Sequence, residues 1–474
     1  MYSFPLLPSL LTTMLFPRLS PRFRLSALAF VAVVAILSFG RANAATYTYT
    51  AGDAGLPASW GAPNFTTPGD IFEVPAGVTA GVNTSFSIGP GVTMNVLGTG
   101  VLLIFTGNTL TNNGTLNIEA GGTLNIQGTG AVGGASANAV TYQATNSLLL
   151  YTGSGGVKTT NIRELPTTMP GSVTFNNGSY IYLGSSVAIQ GTYTNTSGIS
   201  VGNNTLTLSG NIVQSGPIFY GGSASLVING AGTITGNFGN ATLVNLTMDR
   251  AGATLNVGAM GISGGALTLL NGNVRPGSGG WFGMYSGTIV GGSANSFVDC
   301  ASSFFFWRMT AGALPADRFY PVGIGGEYMP LTFHAAGSNV TVVGFGDMGV
   351  YALSSVAGNP DCSTITSLTS PGRWQIYSFT SGVSISANIT CQSAGVTTSS
   401  LLARSGAVGG TYSAIPGSPT IVAPNISYAS PQTFPGTGPF LSVASNPPVS
   451  VYTFTGGNPN LTTDWSPVPP SFAV

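Results

Sequence analysis

Charged side chains are scarce in this sequence. Only 5% of its 474 residues are Asp, Glu, Lys or Arg, whereas about 25% is usual for a soluble domain. Four of the twelve basic residues precede residue 45, so the rest of the chain carries eight basic and twelve acidic residues, a net charge of −4. Such a chain lacks the positive surface that binds nucleic acid or anionic membranes. We therefore expect no nucleic-acid partner.

Residues that commonly carry catalysis or bind metals are also few. The one histidine, His334, alternates with Leu331 and Phe333, which predicts an exposed strand residue. A Ser–His–Asp triad would need this histidine to be buried beside an acid. The His and Cys residues have no metal-site spacing, and no Asp-rich calcium loop occurs. We therefore predict a non-enzymatic protein with no cofactor and no metal.

Among enzyme functions, polysaccharide cleavage is the main one to consider. It requires two carboxylates about 5–10 Å apart across a cleft. Asp249 is next to Arg250, and Glu164 is next to Arg163. We interpret both as local ion pairs or turn residues. A further polar group near the aromatic residues consists of Asp299, Asp317, Arg318 and Glu327. These side chains could form a polar groove, but we favour the interpretation that they are solvated residues on loops.

The three cysteines leave the redox state open. Cys362 and Cys391 could close a disulfide loop of about thirty residues, worth roughly 3–4 kcal/mol in the chain-entropy model, which would leave Cys300 unpaired. Three buried free thiols are the alternative. A disulfide is compatible with an exported protein.

The first 44 residues have the pattern of a secretory signal peptide. Three arginines precede an apolar run over residues 25–39, and Ala42–Ala44 then forms a small-x-small cleavage site. The run is about fifteen residues long, short of the ~20 that span a bilayer. We therefore expect residues 1–44 to be removed, no membrane span in the mature chain, and a secreted protein associated with the cell surface.

A repeated alternating pattern occupies residues 187–270. Five segments there carry apolar residues at alternate positions, and their first apolar residues lie 19, 20, 20 and 21 positions apart. Alternation of period two predicts strands with one buried face, and a fixed period near twenty is typical of stacked coils. The five segments are predicted to lie in register, with one buried column formed by Leu206, Leu226, Leu246 and Leu267.

Two shorter segments upstream share a Gly-Thr-Leu-Asn-Ile pattern. Residues 114–118 and 122–126 begin eight positions apart. This spacing predicts either successive faces of one coil or a hairpin.

Composition divides the chain into regions. Residues 45–276 are assigned to solenoid repeats with an N-terminal entry strand, residues 277–380 to an aromatic-rich β junction domain, and residues 381–446 to a small β-sandwich-like module. We therefore predict an all-β fold: a β-solenoid with coils of about 20 residues, followed by a small β-sandwich-like domain.

The last residues repeat the start of the mature chain. Thr46–Thr50 aligns with Val451–Thr455 without a gap, and two later residues match at the same offset of 405 (Leu56 with Leu461, Trp60 with Trp465). We interpret residues 447–474 as the start of a second, truncated module. Either the protein is a tandem array with further modules, or the gene is truncated.

Aromatic residues cluster between residues 281 and 307. Flat aromatic faces suit sugar rings, so the candidate glycan contacts are Trp281, Phe304, Phe306 and Trp307. The alternative, which we favour, is that they seal the end of the solenoid against the next domain.

Several motifs follow one another between residues 200 and 445. They are Gly232–Gly236 (Gly-Thr-Ile-Thr-Gly), Asn245–Met248 (Asn-Leu-Thr-Met), Gly264–Gly272, Gly291–Cys300 and Phe319–Thr332. The ordered set resembles the repeats of large secreted surface proteins of gliding-type Gram-negative bacteria, which are type IX secretion substrates. Cys300, Tyr320 and Met329 depart from the family pattern, and no family sorting domain is recognised. The resemblance implies adhesion, surface coating or a passive stalk.

These observations together predict an exported cell-surface structural or adhesive protein, a non-catalytic repeat stalk that gives multivalent contacts. Its low charge favours neutral surfaces or glycans as partners. One alternative is a glycan-binding module that uses the aromatics at 281–307. The other is a polysaccharide-processing β-helix enzyme.

Overall fold

The computed structural model describes residues 44–143, 146–153, 156–221, 223–239, 241–301, 303–354, 359–360, 367–378, 383–394, 396–407, 410–435, 439–445, 453–454 and 465–466. Almost all of its regular structure is β-strand, with 3₁₀ segments at Pro57–Trp60 and Ser136–Asn138. The chain forms two compact units. One comprises residues 1–156 and 161–166, and the other comprises residues 157–160 and 167–474.

In the first unit, short strands stack in parallel with a period of 22 residues. This period is seen in the pairing of Ile71 with Thr93 and of Thr93 with Thr115. Alternation explains the stacking: Leu116 and Ile118 are fully buried, whereas the residues between and before them are not. The three ladders are Thr46–Thr48, Ile71–Val74, Thr93–Val96, Thr115–Ile118 and Thr141–Tyr142; Thr79–Val82, Val101–Ile104, Thr123–Gln127 and Leu148–Gly153; and Phe86–Ile88, Thr109–Asn112 and Ala131–Gly134.

The two Gly-Thr-Leu-Asn-Ile segments are successive faces of one coil. The strand Thr115–Ile118 pairs with Thr93–Val96, and Thr123–Gln127 pairs with Val101–Ile104. The hairpin alternative is therefore wrong. Gly122 lies at the corner between the two faces, where a Cβ would approach the Val96 carbonyl oxygen to 2.6 Å. The corner therefore requires glycine.

The second unit contains the five segments predicted to stack, and that prediction is confirmed. Parallel pairs join Val187 to Leu206, Leu206 to Leu226, Leu226 to Leu246, and Leu246 to Leu267. All four leucines are fully buried. The column continues through Leu267 to Ile289. The predicted β-solenoid is confirmed, with about 12 turns in all.

The parallel strands of the second unit form three ladders. They are Thr168–Met169, Val187–Ile189, Thr205–Leu208, Ser225–Ile228, Asn245–Ile262, Ala266–Met284 and Thr288–Gly291; Ser172–Asn177, Tyr193–Asn195, Ile212–Gln214 and Ile234–Gly236; and Lys158–Thr159, Ile181–Tyr182, Ile199–Gly202 and Ile218–Tyr220. Ala241–Leu243 pairs with the end of Asn245–Ile262. The two longest strands pair with each other from Leu246–Leu267 at one end to Ile262–Met284 at the other, and the pairing contains three register shifts.

Parallel pairing extends past residue 276, where the sequence places the end of the solenoid repeats. Phe282 pairs with Phe305, and Val298 pairs with Val322. Most later pairing is antiparallel, which is compatible with a β-sandwich-like module. The strands are Val298–Asp299, Phe305–Gly312, Arg318–Tyr320, Val322–Ile324, Glu327–Tyr328, Leu331–Phe333, Asn339–Ser354, Asn359–Pro360, Ser367–Ser378, Ser384–Gln392, Ser400–Ser405, Thr411–Ala414, Thr420–Val422, Asn425–Pro435 and Phe440–Ser445.

The predicted signal peptide and the predicted second module fall mostly outside the described residues. Of residues 447–474, the structure describes only Thr453–Phe454 and Trp465–Ser466, which pair antiparallel. The related N-terminal strand Thr46–Thr48 pairs in parallel with Ile71–Glu73 instead. Both assignments stay predictions.

Candidate functional site

The aromatic cluster is packed inside the protein. Phe304, Phe306 and Trp307 are 8%, 3% and 3% exposed, and Trp281 is half-buried. The Trp281 ring centroid lies 5.2 Å from that of Phe306 and 5.9 Å from that of Tyr285, in edge-to-face arrangements. Three of the four candidate glycan contacts are therefore closed to a sugar ring, and the geometry supports the packing interpretation.

Polar contacts fix the same cluster from two sides. The Trp307 Nε1–H donates to the Phe319 carbonyl oxygen at 2.8 Å, and the Arg318 guanidinium carbon lies 4.5 Å from the Trp307 ring centroid. The Arg308 guanidinium carbon lies 4.2 Å from the Tyr285 ring centroid. Two hydrogen bonds of 2.8 and 3.0 Å join Arg308 to the Asp347 carboxylate. The cluster is thus a junction held by aromatic packing, cation–π contacts and one ion pair.

Asp249 and Arg250 do not form the expected local ion pair. The Asp249 carboxylate accepts a hydrogen bond from Asn271 Nδ2 at 2.7 Å. Arg250 is 2% exposed, and its guanidinium donates four hydrogen bonds to the backbone carbonyl oxygens of Leu208, Asn229 and Gly232. The ion-pair expectation fails because consecutive strand residues face opposite sides of the sheet. Burial lowers the pKa of Arg250.

Glu164 is a buried turn residue of the first unit. The backbone N–H groups of Arg163 and Glu164 both donate to Asn161 Oδ1, which confirms the turn interpretation. The Glu164 carboxylate accepts from the Val132 N–H and the Tyr151 hydroxyl, each at 3.3 Å. Burial and the nearby Glu164 charge raise the Tyr151 pKa well above its ordinary value. A fully buried carboxylate of this kind is closed to a polysaccharide chain.

The remaining acidic candidates have separate partners. Asp299 was expected to be solvated, yet it is 3% exposed, pairs with Arg275 and accepts from the Ala301 N–H at 3.1 Å. Glu327 is half-buried in an antiparallel pair with Ile324. Within the described residues, no group of three or more His, Cys, Asp or Glu side chains could hold a metal ion.

A hydrogen-bonded relay centred on His334 was not predicted from the sequence. His334 Nδ1 lies 2.8 Å from Asp317 Oδ2, and His334 Nε2 lies 2.8 Å from Thr390 Oγ1. The Thr390 hydroxyl in turn lies 2.9 Å from Ser427 Oγ. The antiparallel register creates this arrangement, because Thr332 pairs with Thr390 and Thr390 pairs with Ser427.

The relay has the residue types of an acid–His–hydroxyl triad, and it lies on an open face of the sheet. The His334 and Asp317 side chains are 34% and 54% exposed. Hydrogen bonds from the Ala335 N–H and from His334 lower the Asp317 pKa. The arrangement therefore cross-links strands that are distant in sequence. Alternation correctly placed His334 outward, but no local pattern indicates its partners.

The cysteines of the described chain are buried thiols. Cys300 and Cys391 are free, and Cys362 lies outside the described residues. Cys391 sits on the inward face of Ser384–Gln392, which accounts for its complete burial. The Cys362–Cys391 disulfide considered from the sequence involves a residue outside the described part of the chain and stays a prediction. Burial raises the pKa of the Cys300 thiol to about 12 and also raises the pKa of the Cys391 thiol. Buried thiols of this kind are expected to be inert.

The outward column beside the buried leucines is neutral. In register it contains Ala188, Thr207, Val227, Thr247, Thr268 and Val290. Alanine and valine interrupt the threonines, so the column is a mixed strand surface. Open clefts also occur in the second unit. One of about 430 Å³ lies at residues 176–180 and 196–198, and one of about 570 Å³ lies beside Arg404.

Comparison with known proteins gives no relative: no family model matches the chain, and neither the curated proteins nor the solved structures contain a match. In the part of the chain that the structure describes, no helix is long and apolar enough to cross a membrane. The fold therefore defines a class, a β-solenoid protein with an antiparallel β region after the coils.

Proposed function

We propose that the protein is an exported cell-surface component whose solenoid is a non-catalytic stalk presenting multivalent contacts. The observation that carries the proposal is the unbroken parallel column from Val187 to Ile289. Each coil adds about 4.8 Å of length, so repetition gives reach without a deep cavity. Weak contacts on successive coils add up through their high effective concentration.

Three further observations support this role. The outward column carries no charge, which suits neutral surfaces or glycans. The signal-peptide pattern of residues 1–44 favours export. The ordered motifs between residues 200 and 445 resemble secreted surface proteins, for which a stalk or adhesive role is expected.

The enzyme alternative receives little support from the acidic residues. The carboxylates of Asp249, Asp299 and Asp317 each accept hydrogen bonds from a different partner. Polysaccharide hydrolysis needs two carboxylates acting on one bond. Carboxylates that are each held by a separate structural partner fit a structural protein better.

Export is tested by producing the full chain in a Gram-negative host and determining the N-terminus of the secreted product. We expect Ala45 as the first residue. Intracellular, uncleaved chain would contradict export.

Adhesion is tested with beads that carry the mature chain at increasing density on agarose and polystyrene under flow. We expect retention to rise steeply with density, because many weak contacts must act together. Retention independent of density would contradict multivalency. The variant with Asp249→Asn, Asp299→Asn, Asp317→Asn and Glu327→Gln should be retained equally. Polysaccharide cleavage that any one of these changes abolishes would favour the enzyme alternative.

A further inference from the structure

One corner of the second unit is recessed between two longer corners. In the coil that forms it, the corner runs over residues 269–274, a step of five positions. The residues that pair with its two ends on the neighbouring coils enclose steps of seven positions, 248–255 on one side and 291–298 on the other. The middle corner is therefore two residues shorter than either neighbour. This difference leaves a cleft of about 440 Å³ between the two longer corners.

The first wall of the cleft, residues 251–254, follows directly after the buried Arg250. The Arg250 side chain is 2% exposed and donates four hydrogen bonds to backbone carbonyl oxygens of the two preceding coils. These bonds anchor the start of the protruding corner, whereas Ala251 and Gly252 at its tip are exposed. A corner fixed from inside in this way is preorganised, so a ligand does not have to order it.

The second wall is a turn fixed by hydrogen bonds. Ser293 and Ser296 exchange two backbone hydrogen bonds of 2.9 and 3.0 Å, and the Asn295 carbonyl oxygen accepts from the Gly272 N–H at 2.8 Å. The Ser296 hydroxyl donates to the Gly272 carbonyl oxygen at 2.6 Å. Ala294 and Asn295, at the tip of the turn, are exposed and line the cleft. The cleft is therefore built into the coil stack on both sides.

The floor of the cleft offers one hydrogen-bond acceptor and one donor. Asn271 donates from Nδ2 to the Asp249 carboxylate at 2.7 Å, and Asn273 accepts at Oδ1 from the Phe297 N–H at 3.1 Å. Because an ionised carboxylate only accepts and a backbone N–H only donates, these partners fix the orientation of both amides. Asn271 Oδ1 and Asn273 Nδ2 are left without partners among the described residues, and both asparagines are half-buried.

The lining of the cleft is uncharged and has no large apolar side chain. Its residues are Ala, Gly, Thr and Asn. An acidic or sulfated ligand would find no cation in this lining, and an apolar side chain of a peptide would find no pocket to fill. Amides that both donate and accept are complementary to hydroxyl groups, which do the same. The chemistry of the lining therefore favours a neutral ligand rich in hydroxyl groups.

We propose that this recessed corner is a subsite for a neutral sugar residue of a polysaccharide. The sugar ring takes the space that two further residues of the middle corner would fill, between walls two strand spacings apart, about 9.6 Å. One sugar hydroxyl donates to Asn271 Oδ1, and another accepts from Asn273 Nδ2. The inference rests on the proposed adhesive role and specifies the ligand class of that role. It also moves the glycan site away from the buried aromatics at 304–307.

The test is affinity electrophoresis of the full mature chain in gels that contain dextran, laminarin, galactomannan or carboxymethyl cellulose. We expect retardation by at least one of the three neutral polysaccharides. Ala294→Trp fills the cleft from an exposed turn tip and should weaken that binding by about tenfold or more. The matched control is Ala231→Trp, because Ala231 is an exposed alanine at the same corner of an earlier coil and does not line this cleft. This control should bind like the parent chain.

A second variant tests the donor on the floor. Asn273→Asp keeps an oxygen acceptor for the Phe297 N–H and replaces the remaining donor by a second acceptor. It should weaken binding by about tenfold, while the melting temperature shows that the coils stay folded.

Four results would overturn the subsite. They are equal weakening by Ala294→Trp and Ala231→Trp, unchanged binding by Asn273→Asp, retardation by carboxymethyl cellulose alone, and retardation by none of the gels. Density-dependent retention of the beads on polystyrene, together with no retardation, would leave the adhesive role standing and refute the sugar subsite.

Discussion

The regular coils at 187–291 and the antiparallel region at 305–445 are stabilised by different kinds of contact. In the coils, each strand pairs with residues about twenty positions away, and one leucine column repeats the same contact. In the antiparallel region, the polar contacts join residues much further apart: Arg308 and Asp347 are separated by 39 positions, and His334 and Thr390 by 56. Successive coils therefore repeat one buried contact, whereas these polar contacts of the antiparallel region each occur once.

This difference predicts which elements a destabilising mutation affects. Stability in stacked repeats is approximately a sum of nearest-neighbour terms. A defect in one coil should therefore weaken the adjacent coils most. A defect in the antiparallel region should instead separate elements that are distant in sequence.

The largest effect is expected from a charge placed in the leucine column. Leu246→Asp buries an unpaired carboxylate between Leu226 and Leu267, which should lower the free energy of unfolding by about 4–5 kcal/mol. The neighbouring Thr247→Asp, on the outward face, should change it by no more than about 1 kcal/mol. Urea unfolding followed by circular dichroism measures both. Equal losses would show that the facing is assigned wrongly.

The aromatic junction should respond next. Trp307→Ala removes a side chain that is 3% exposed and should cost about 3–4 kcal/mol. The half-buried Trp281 should cost less when it is replaced by alanine. The measurement is the melting temperature of the two variants. An unchanged melting temperature for Trp307→Ala would contradict the packing interpretation and reopen the glycan interpretation of this cluster.

A buried arginine offers a polar test within the coils. Arg250→Met removes four hydrogen bonds to backbone carbonyl oxygens, of which the one to Leu208 is fully buried, and should cost about 2–3 kcal/mol. The control is Arg404→Met, because Arg404 is exposed and donates to one carbonyl oxygen. Its effect on urea unfolding should stay within about 0.5 kcal/mol. A larger loss of stability in Arg404→Met than in Arg250→Met would refute the assignment of Arg250 as a buried structural arginine.

The smallest effect is expected from the relay. The Asp317 pKa is lowered below its ordinary value, so this carboxylate contributes stability above its unfolded pKa near 4 and loses that contribution as the pH falls through the lower folded value. Solvent screening at a half-exposed side chain keeps the contribution below about 1 kcal/mol. The difference in stability between the parent chain and Asp317→Asn should shrink as the pH falls below about 4. A difference that stays the same from pH 5 to pH 2 would contradict the contribution of this carboxylate.

The sequence predicts the coils well because their information is local and repeated. Alternation and a period near twenty were enough to place Leu206 under Leu226 and Leu226 under Leu246. The same alternation also implies that Asp249 and Arg250 face opposite sides, which the ion-pair interpretation overlooked.

The relay and the cleft depend on register between strands, which no short pattern contains. His334 could be placed on an outward face, but Thr390 and Ser427 meet it only through antiparallel pairing. Likewise, the recessed corner at 269–274 becomes visible only when Met248 is paired with Leu269 and Leu255 with Val274. Unique long-range contacts therefore need the structure, whereas repeated short-range contacts do not.

The central claim, parallel coils stacked in register, is tested most directly by distances between spin labels on the outward column. The labels are attached to cysteine pairs in a chain whose three native cysteines are replaced by alanine. The first pair, at Ala188 and Val290, is five coils apart, and the second pair, at Thr207 and Val290, is four coils apart. The account predicts backbone separations of about 24 and about 19 Å, one strand spacing apart. Distances that do not shorten by about one strand spacing, or that are the same for both pairs, would contradict it.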